Sequence, residues 1–101
     1  MNEDKLTNML GLAQKARKIV SGEFATDKAL KEQKAEYVLV AADASEKTAE
    51  KYRELTEKQN IPLAMILNKD KLAHALGKET RAVAAITDAG FGKAIGKLLQ
   101  D

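Results

Sequence analysis

Between residues 4 and 18, Leu6, Met9, Leu10, Ala13 and Ala16 recur at the spacing of a helix with one apolar face. Gly11 weakens that helix by about 1 kcal/mol relative to Ala without forbidding it. A short apolar pair, Ile19-Val20, then runs into Ser21-Gly22, a turn signal. Ala25, Ala29 and Leu30 predict a second helix from Glu23 to about Gln33. Residues 37–42, Tyr-Val-Leu-Val-Ala-Ala, form an apolar run too short for a helix, and it reads as a strand covered on both faces. Asp43 and Ser45 are cap candidates for a third helix marked by Ala49, Tyr52 and Leu55 and ending near Asn60.

Residues 62–67 predict a second buried strand, with Pro62 at its start, where a missing N–H is tolerated. Asp70 is placed to cap a short helix over residues 71–76, which Gly77 would end. Residues 82–87 predict a third strand, and Asp88 precedes a last helix carrying Phe91, Ala94, Ile95, Leu98 and Leu99. Strands alternating with helices imply an α/β architecture. The expected fold is a three-layer α-β-α sandwich with a mixed sheet of about four strands; periodicity leaves the strand order open.

Length and composition narrow this picture. The 101 residues, without repeat or linker, are expected to form one domain over the whole span. With 4% aromatic residues, the core has to be aliphatic. No cysteine is present, which excludes disulfides and cysteine-based zinc sites and suits a reducing cytosol. Met1-Asn2-Glu3-Asp4 is acidic and begins no apolar segment, so no secretory signal is expected. No apolar run approaches the roughly 20 residues that span a bilayer. The expected location is the cytoplasm, with no membrane partner. The net charge of +2 is mild, so a nucleic-acid partner would have to meet a local patch.

Most candidate chemistry fails on its spacing. His74 is the one histidine, and without cysteine or clustered carboxylates it cannot assemble a typical transition-metal site. Residues 90–97, Gly-Phe-Gly-Lys-Ala-Ile-Gly-Lys, follow a strand and open a helix, as a phosphate loop does. Leu98 stands where a Walker loop needs a hydroxyl, and Ile95 stands where a dinucleotide loop needs its third glycine. Small residues for close helix packing explain this segment. Ser21 and Ser45 lie in no nucleophile elbow, and Glu54 and Glu57 fall on a charged face. No catalytic residue, metal or cofactor is expected.

One region stands apart. Gln14-Lys15-Ala16-Arg17-Lys18 closes the first predicted helix with three cations, and Ser21-Gly22-Glu23 opens the second, with Lys28 further along it. A helix N-terminus presents free N–H groups and a positive partial charge, and Gly22 lets a backbone come close. With basic residues beside it, this is an anion site that fits a phosphodiester. The plain alternative is dipole complementation, with Lys and Arg at one helix end and Glu23 at the start of the next.

These residues, followed by the run Tyr-Val-Leu-Val-Ala-Ala-Asp-Ala-Ser at residues 37–45, resemble the ribosomal protein family that binds kink-turn RNA. Its members include the archaeal L-seven-Ae and eukaryotic L-thirty proteins. Residues 11–23 and the ending Thr87-Asp88-Ala89-Gly90-Phe91 are typical of that family, and the likeness covers nearly the whole chain. It implies a non-enzymatic protein whose partner is RNA, a kink-turn or similarly bent internal loop, ribosomal RNA and the ribosome included. By resemblance, Gly22 supplies close backbone approach, Glu23 accepts from a guanine edge, and Lys28 contacts phosphate with Lys15 and Lys18 as helpers. The loop over residues 78–83, with Arg81, Ala82 and Val83, corresponds to the one that sets RNA preference. Phe24-Ala25 stands where the archaeal pattern has Asn-Glu. The competing reading is a protein-interaction or scaffold domain of the same fold; a small enzyme is the weakest.

Overall fold

The computed structural model describes residues 2–100; Met1 and Asp101, the two ends of the span expected to form one domain, lie outside the described residues. The elements run α1 (Glu3–Lys15), β1 (Ile19–Ser21), α2 (Glu23–Lys31), β2 (Tyr37–Val40), α3 (Glu46–Gln59), β3 (Leu63–Met65), α4 (Lys69–Ala75), β4 (Val83–Ile86) and α5 (Ala89–Gln100). The sheet order is β1-β4-β2-β3. β4 is antiparallel to both β1 and β2, whereas β3 is parallel to β2, so the sheet is mixed as expected.

The unbroken apolar run of β2 divides by parity, because successive strand residues point to opposite faces. Leu39 and Ala41 join Ala84 and Ile86 in a core covered by α1, α4 and α5, with Leu6, Leu10, Leu72 and Ile95. Val38 and Val40 join Val83 and Ala85 in a second core covered by α2 and α3, with Ala29, Leu30 and Tyr52. This is the three-layer sandwich, and β2 and β4 are its two-faced centre.

Several expectations shift at element edges. The Ile19-Val20 pair is not merely a lead-in to a turn: with Ser21 it forms the fourth strand, paired in the register Ile19–Ile86 to Ser21–Ala84. The segment starting at Pro62 is an edge strand and not a buried one, with Met65 exposed; Pro62 serves it by accepting from the Val38 N–H at 3.0 Å. Asn68, not Asp70, caps α4, accepting from the Lys71 N–H at 2.7 Å. Ser45 caps α3, while Asp43 turns to the Lys69 N–H at 2.8 Å and so helps to start α4. The glycines of α5 do serve close packing, for a Cβ on Gly92 would lie 3.1 Å from Glu36 Cβ and one on Gly96 3.5 Å from the Tyr37 ring.

The first helix stops at Lys15 and not at residue 18 because Arg17 is left-handed, at φ 59°. Its N–H donates to the Gln14 carbonyl and that of Lys18 to the Ala13 carbonyl, at 3.1 and 2.8 Å. This paired closure satisfies carbonyls that the helix end leaves free. The same pairing ends α2, α3 and α4, with Gln33, Asn60 and Gly77 at positive φ.

Two stability measurements check this geometry. Gln33 is exposed and carries a Cβ in a conformation that favours glycine, so Gln33→Gly should stabilise the protein by about 0.5–1 kcal/mol, a rise of roughly 2–8 °C in Tm. A drop in Tm would mean that the residue is not left-handed. Gly96→Ala gains helix propensity and meets only an ordinary contact, so it should stabilise by about 0.5–1 kcal/mol. Gly92→Ala should gain less, because Glu36 has to yield. The reverse ranking in thermal denaturation would contradict the α5–β2 packing.

Candidate nucleic-acid interface

Asn2, Ser45, Asn68 and Asp88 each bring a side-chain oxygen to the first-turn N–H groups of α1, α3, α4 and α5. α2 differs: its N-cap is Gly22, and no side chain caps it. Gly22 has φ 89°, a conformation that a side chain would strain, and its N–H donates to the Val83 carbonyl at 2.9 Å. That bond and the β1–β4 ladder place the start of α2 where β4 begins, beside the loop over residues 78–82.

The loop contributes Arg81. Its Nε donates to Ser21 Oγ at 3.0 Å and its Nη1 to the Thr80 carbonyl at 2.6 Å. A Cβ on Gly22 would lie 3.8 Å from that Nε, so the guanidinium borders the open helix end. Ser21, Gly22 and Arg81 therefore converge, although about 60 residues separate the serine from the arginine. Backbone donors, a helix dipole and a planar five-donor cation at one place suit a phosphate oxygen.

The other candidates fall around this centre unevenly. Val83 is wholly buried beneath α2, so it acts through its carbonyl as a strut and not as a contact surface. Ala82 is half-buried, and its carbonyl accepts from the Ala41 N–H at 2.8 Å, which ties the loop to the end of β2. Lys28 is exposed on α2, on the flank facing β1, one turn beyond Phe24, and makes no ion pair among the described residues. Lys15 and Lys18 do not stand beside the α2 start. β1 intervenes, and four residues of extended chain place Lys18 about 13 Å along the sheet edge from Gly22. Lys18 lies near Asp88, 4.0 Å away, at the start of α5, and Lys15 faces the groove between α1 and α4 beside the exposed His74.

Glu23 is not free. Its carboxylate lies 3.5 Å from Lys51 Nζ, which also holds Asp27 at 2.8 Å. Tyr52 donates to the other Asp27 oxygen at 2.6 Å. The hydrogen bond to Asp27 pushes the Lys51 ammonium up from its ordinary range, and burial followed by the same carboxylate pushes the Tyr52 hydroxyl up. Lys51 therefore stays charged, and Tyr52 stays a neutral donor, at neutral pH. The cluster bolts α2 to α3 on the helix face next to the one that carries Phe24 and Lys28. Sequence reasoning missed Lys51 and Tyr52; the one local signal was the four-residue spacing of Glu23 and Asp27 on one helix face.

No helix among the described residues is long and apolar enough to cross a membrane. The chain is 38% identical over 91 residues to RNA-binding protein YlxQ of Bacillus subtilis, covering 90% of this chain and 91% of that one. It is 33% identical over 99 residues to RNA-binding protein YlxQ of Enterococcus faecium, covering 98% and 95%. Among solved structures, a protein of unknown function from Bacillus halodurans superposes with a TM-score of 0.90 at 30% identity, over 94% of this chain and 96% of that one. A 15.5 kD RNA-binding protein of Giardia lamblia shares the fold, with a TM-score of 0.79 at 24% identity over 97% and 88%. The family described as ribosomal protein L7Ae/L30e/S12e/Gadd45 matches residues 4–95, and with these relatives it shows that the chain belongs to that family.

Proposed function

We propose that this chain is an RNA-binding protein that takes a kink-turn, or a similarly bent internal loop, onto the N-terminus of α2, and that it serves ribosomal or ribosome-associated RNA in the cytoplasm. The observation that carries the reading is the convergence of the uncapped α2 start, the left-handed Gly22 and the Arg81 guanidinium in a chain so similar to proteins named for RNA binding. It works by binding and not by catalysis.

In this reading the α2 N–H groups and Arg81 hold phosphate oxygens, and Lys28 holds a neighbouring one. Such contacts position RNA without reading it. Reading a guanine needs an acceptor at its N–H edge, and Glu23 is the carboxylate in the first turn. To serve, it leaves Lys51, an exposed pair worth only about 0–1 kcal/mol, while Asp27 keeps that lysine neutralised.

A gel-shift titration of a kink-turn RNA against a matched duplex without the bulge tests this reading; equal affinity for the two would defeat it. Affinity for the kink-turn should fall with salt by about 0.7–0.9 log units per log unit for each phosphate contact. Lys28→Ala and Arg81→Ala should each flatten the slope by about one, whereas Lys15→Ala and Lys18→Ala should leave it unchanged. Glu23→Gln should reduce the preference for the kink-turn by roughly 1–3 kcal/mol, with little change on the duplex. If its melting temperature falls while the preference persists, Glu23 serves only the helix dipole and the Lys51 pair.

A further inference from the structure

Phe24 projects from the first turn of α2 with 86% of its surface exposed, in a chain that has only two phenylalanines. It forms one wall of a groove of about 390 Å³ between α2 and the outer edge of β1. Val20, Ala25 and Ala29 give that groove an apolar lining. Its rim is polar: Lys28 lies one helical turn beyond Phe24 on the same face, and Lys34 and Glu32 pair with each other at 3.4 Å. Of the two cations lining the groove, Lys28 is the one that makes no ion pair among the described residues. The volume lies within the range of small-ligand pockets.

We propose that this groove receives one unpaired nucleobase of the bound RNA, stacked on the Phe24 ring, with the phosphate of that nucleotide on Lys28. The proposal rests on the RNA-binding reading above and adds a subsite on the Lys28 flank of α2, away from Arg81. The observations select this occupant by chemistry. An aromatic ring standing free of the core offers a π-face, which every base can use and which a base inside a duplex cannot reach. A lone lysine one turn away offers a point charge for the linked phosphate. An apolar peptide would satisfy the ring and the lining but would desolvate Lys28 without a partner. The groove thus selects RNA with an extruded base, through stacking and not through hydrogen bonds to a base edge.

The test uses the full chain, a kink-turn RNA, the matched duplex, and kink-turn RNAs made abasic at each unpaired position in turn. Phe24→Ala should weaken kink-turn binding roughly 5- to 150-fold, leave the duplex nearly unaffected and keep the salt slope, since no charge is lost. One abasic RNA should show the same loss with the unaltered protein, and Phe24→Ala should lose nothing further on it. Phe24→Tyr should retain affinity and Phe24→Leu should not. With 2-aminopurine at that nucleotide, binding should change the emission for the unaltered protein but not for Phe24→Ala. Undiminished kink-turn binding by Phe24→Ala, equal losses on kink-turn and duplex, or full rescue by Phe24→Leu would each overturn the stacking subsite and leave the RNA-binding reading standing. If the unaltered protein binds neither RNA, both fall together.

Discussion

The carbonyl of Val83 accepts the Gly22 N–H while its side chain is packed beneath α2, so one residue joins the second core to the open end of that helix. The arrangement depends on β4 being buried on both faces. Because β2 and β4 face helices above and below, neither strand can slip by one residue without exchanging its two apolar sets, and the register is held firmly. β1 inherits that register through the Ser21–Ala84 pairing, and α2 begins two residues later, after Gly22. The site is therefore positioned by the core rather than by its own loops. The uncapped first-turn N–H groups of α2 are fixed by that register, while Arg81, held by Ser21 and the Thr80 carbonyl, closes one side. Such preorganisation lowers the ordering cost of binding.

Charge is distributed by direction and not by amount. A net charge of +2 on 101 residues gives no overall basic field. α2 sorts its surroundings into two flanks. Toward α3, Glu23 and Asp27 share Lys51, and Tyr52 closes the network, which neutralises that side. Toward β1, Phe24 and Lys28 stand unpaired and exposed. The helix dipole is common to both, so the start of α2 has a neutralised wall on one hand and a cation beside an aromatic ring on the other. The lysines at the end of α1 belong to a different region, where Lys18 faces Asp88.

Much of the fold was legible along the chain. Apolar periodicity in α1 and the two-sided runs of β2 and β4 are local signals, and the cores bear them out because parity and helical pitch alone determine which residues can share a face. The cap at Ser45 and the small-residue packing of α5 were legible for the same reason. Helix ends were less so. Arg17 and Gln33 occupy left-handed positions where the sequence carries no glycine to announce them. Asp43 was a cap candidate for α3 and Asp70 for α4, and only the turn from β3 into α4 selected Asn68 and sent Asp43 to the Lys69 N–H. The edge position of β3 was also hidden, since an apolar run does not reveal how many neighbours its strand has.

For the site, the sequence by itself determined that a glycine-started helix follows a short apolar pair, with Glu23, Phe24 and Lys28 along its first two turns. It determined the family as well, because those residues carry the resemblance. The tertiary structure decided which cations stand near that helix start. A three-residue strand carries Lys15 and Lys18 away from Gly22, and a chain reversal some 60 residues later brings Arg81 to it. Glu23 acquired its Lys51 partner in the same way, across a helix pair that no local pattern connects. Backbone period is a property of neighbours in the chain and can be read there. Ion pairs and convergent donors join residues distant in sequence, and only the closed sheet with its two helical layers sets the distances between them.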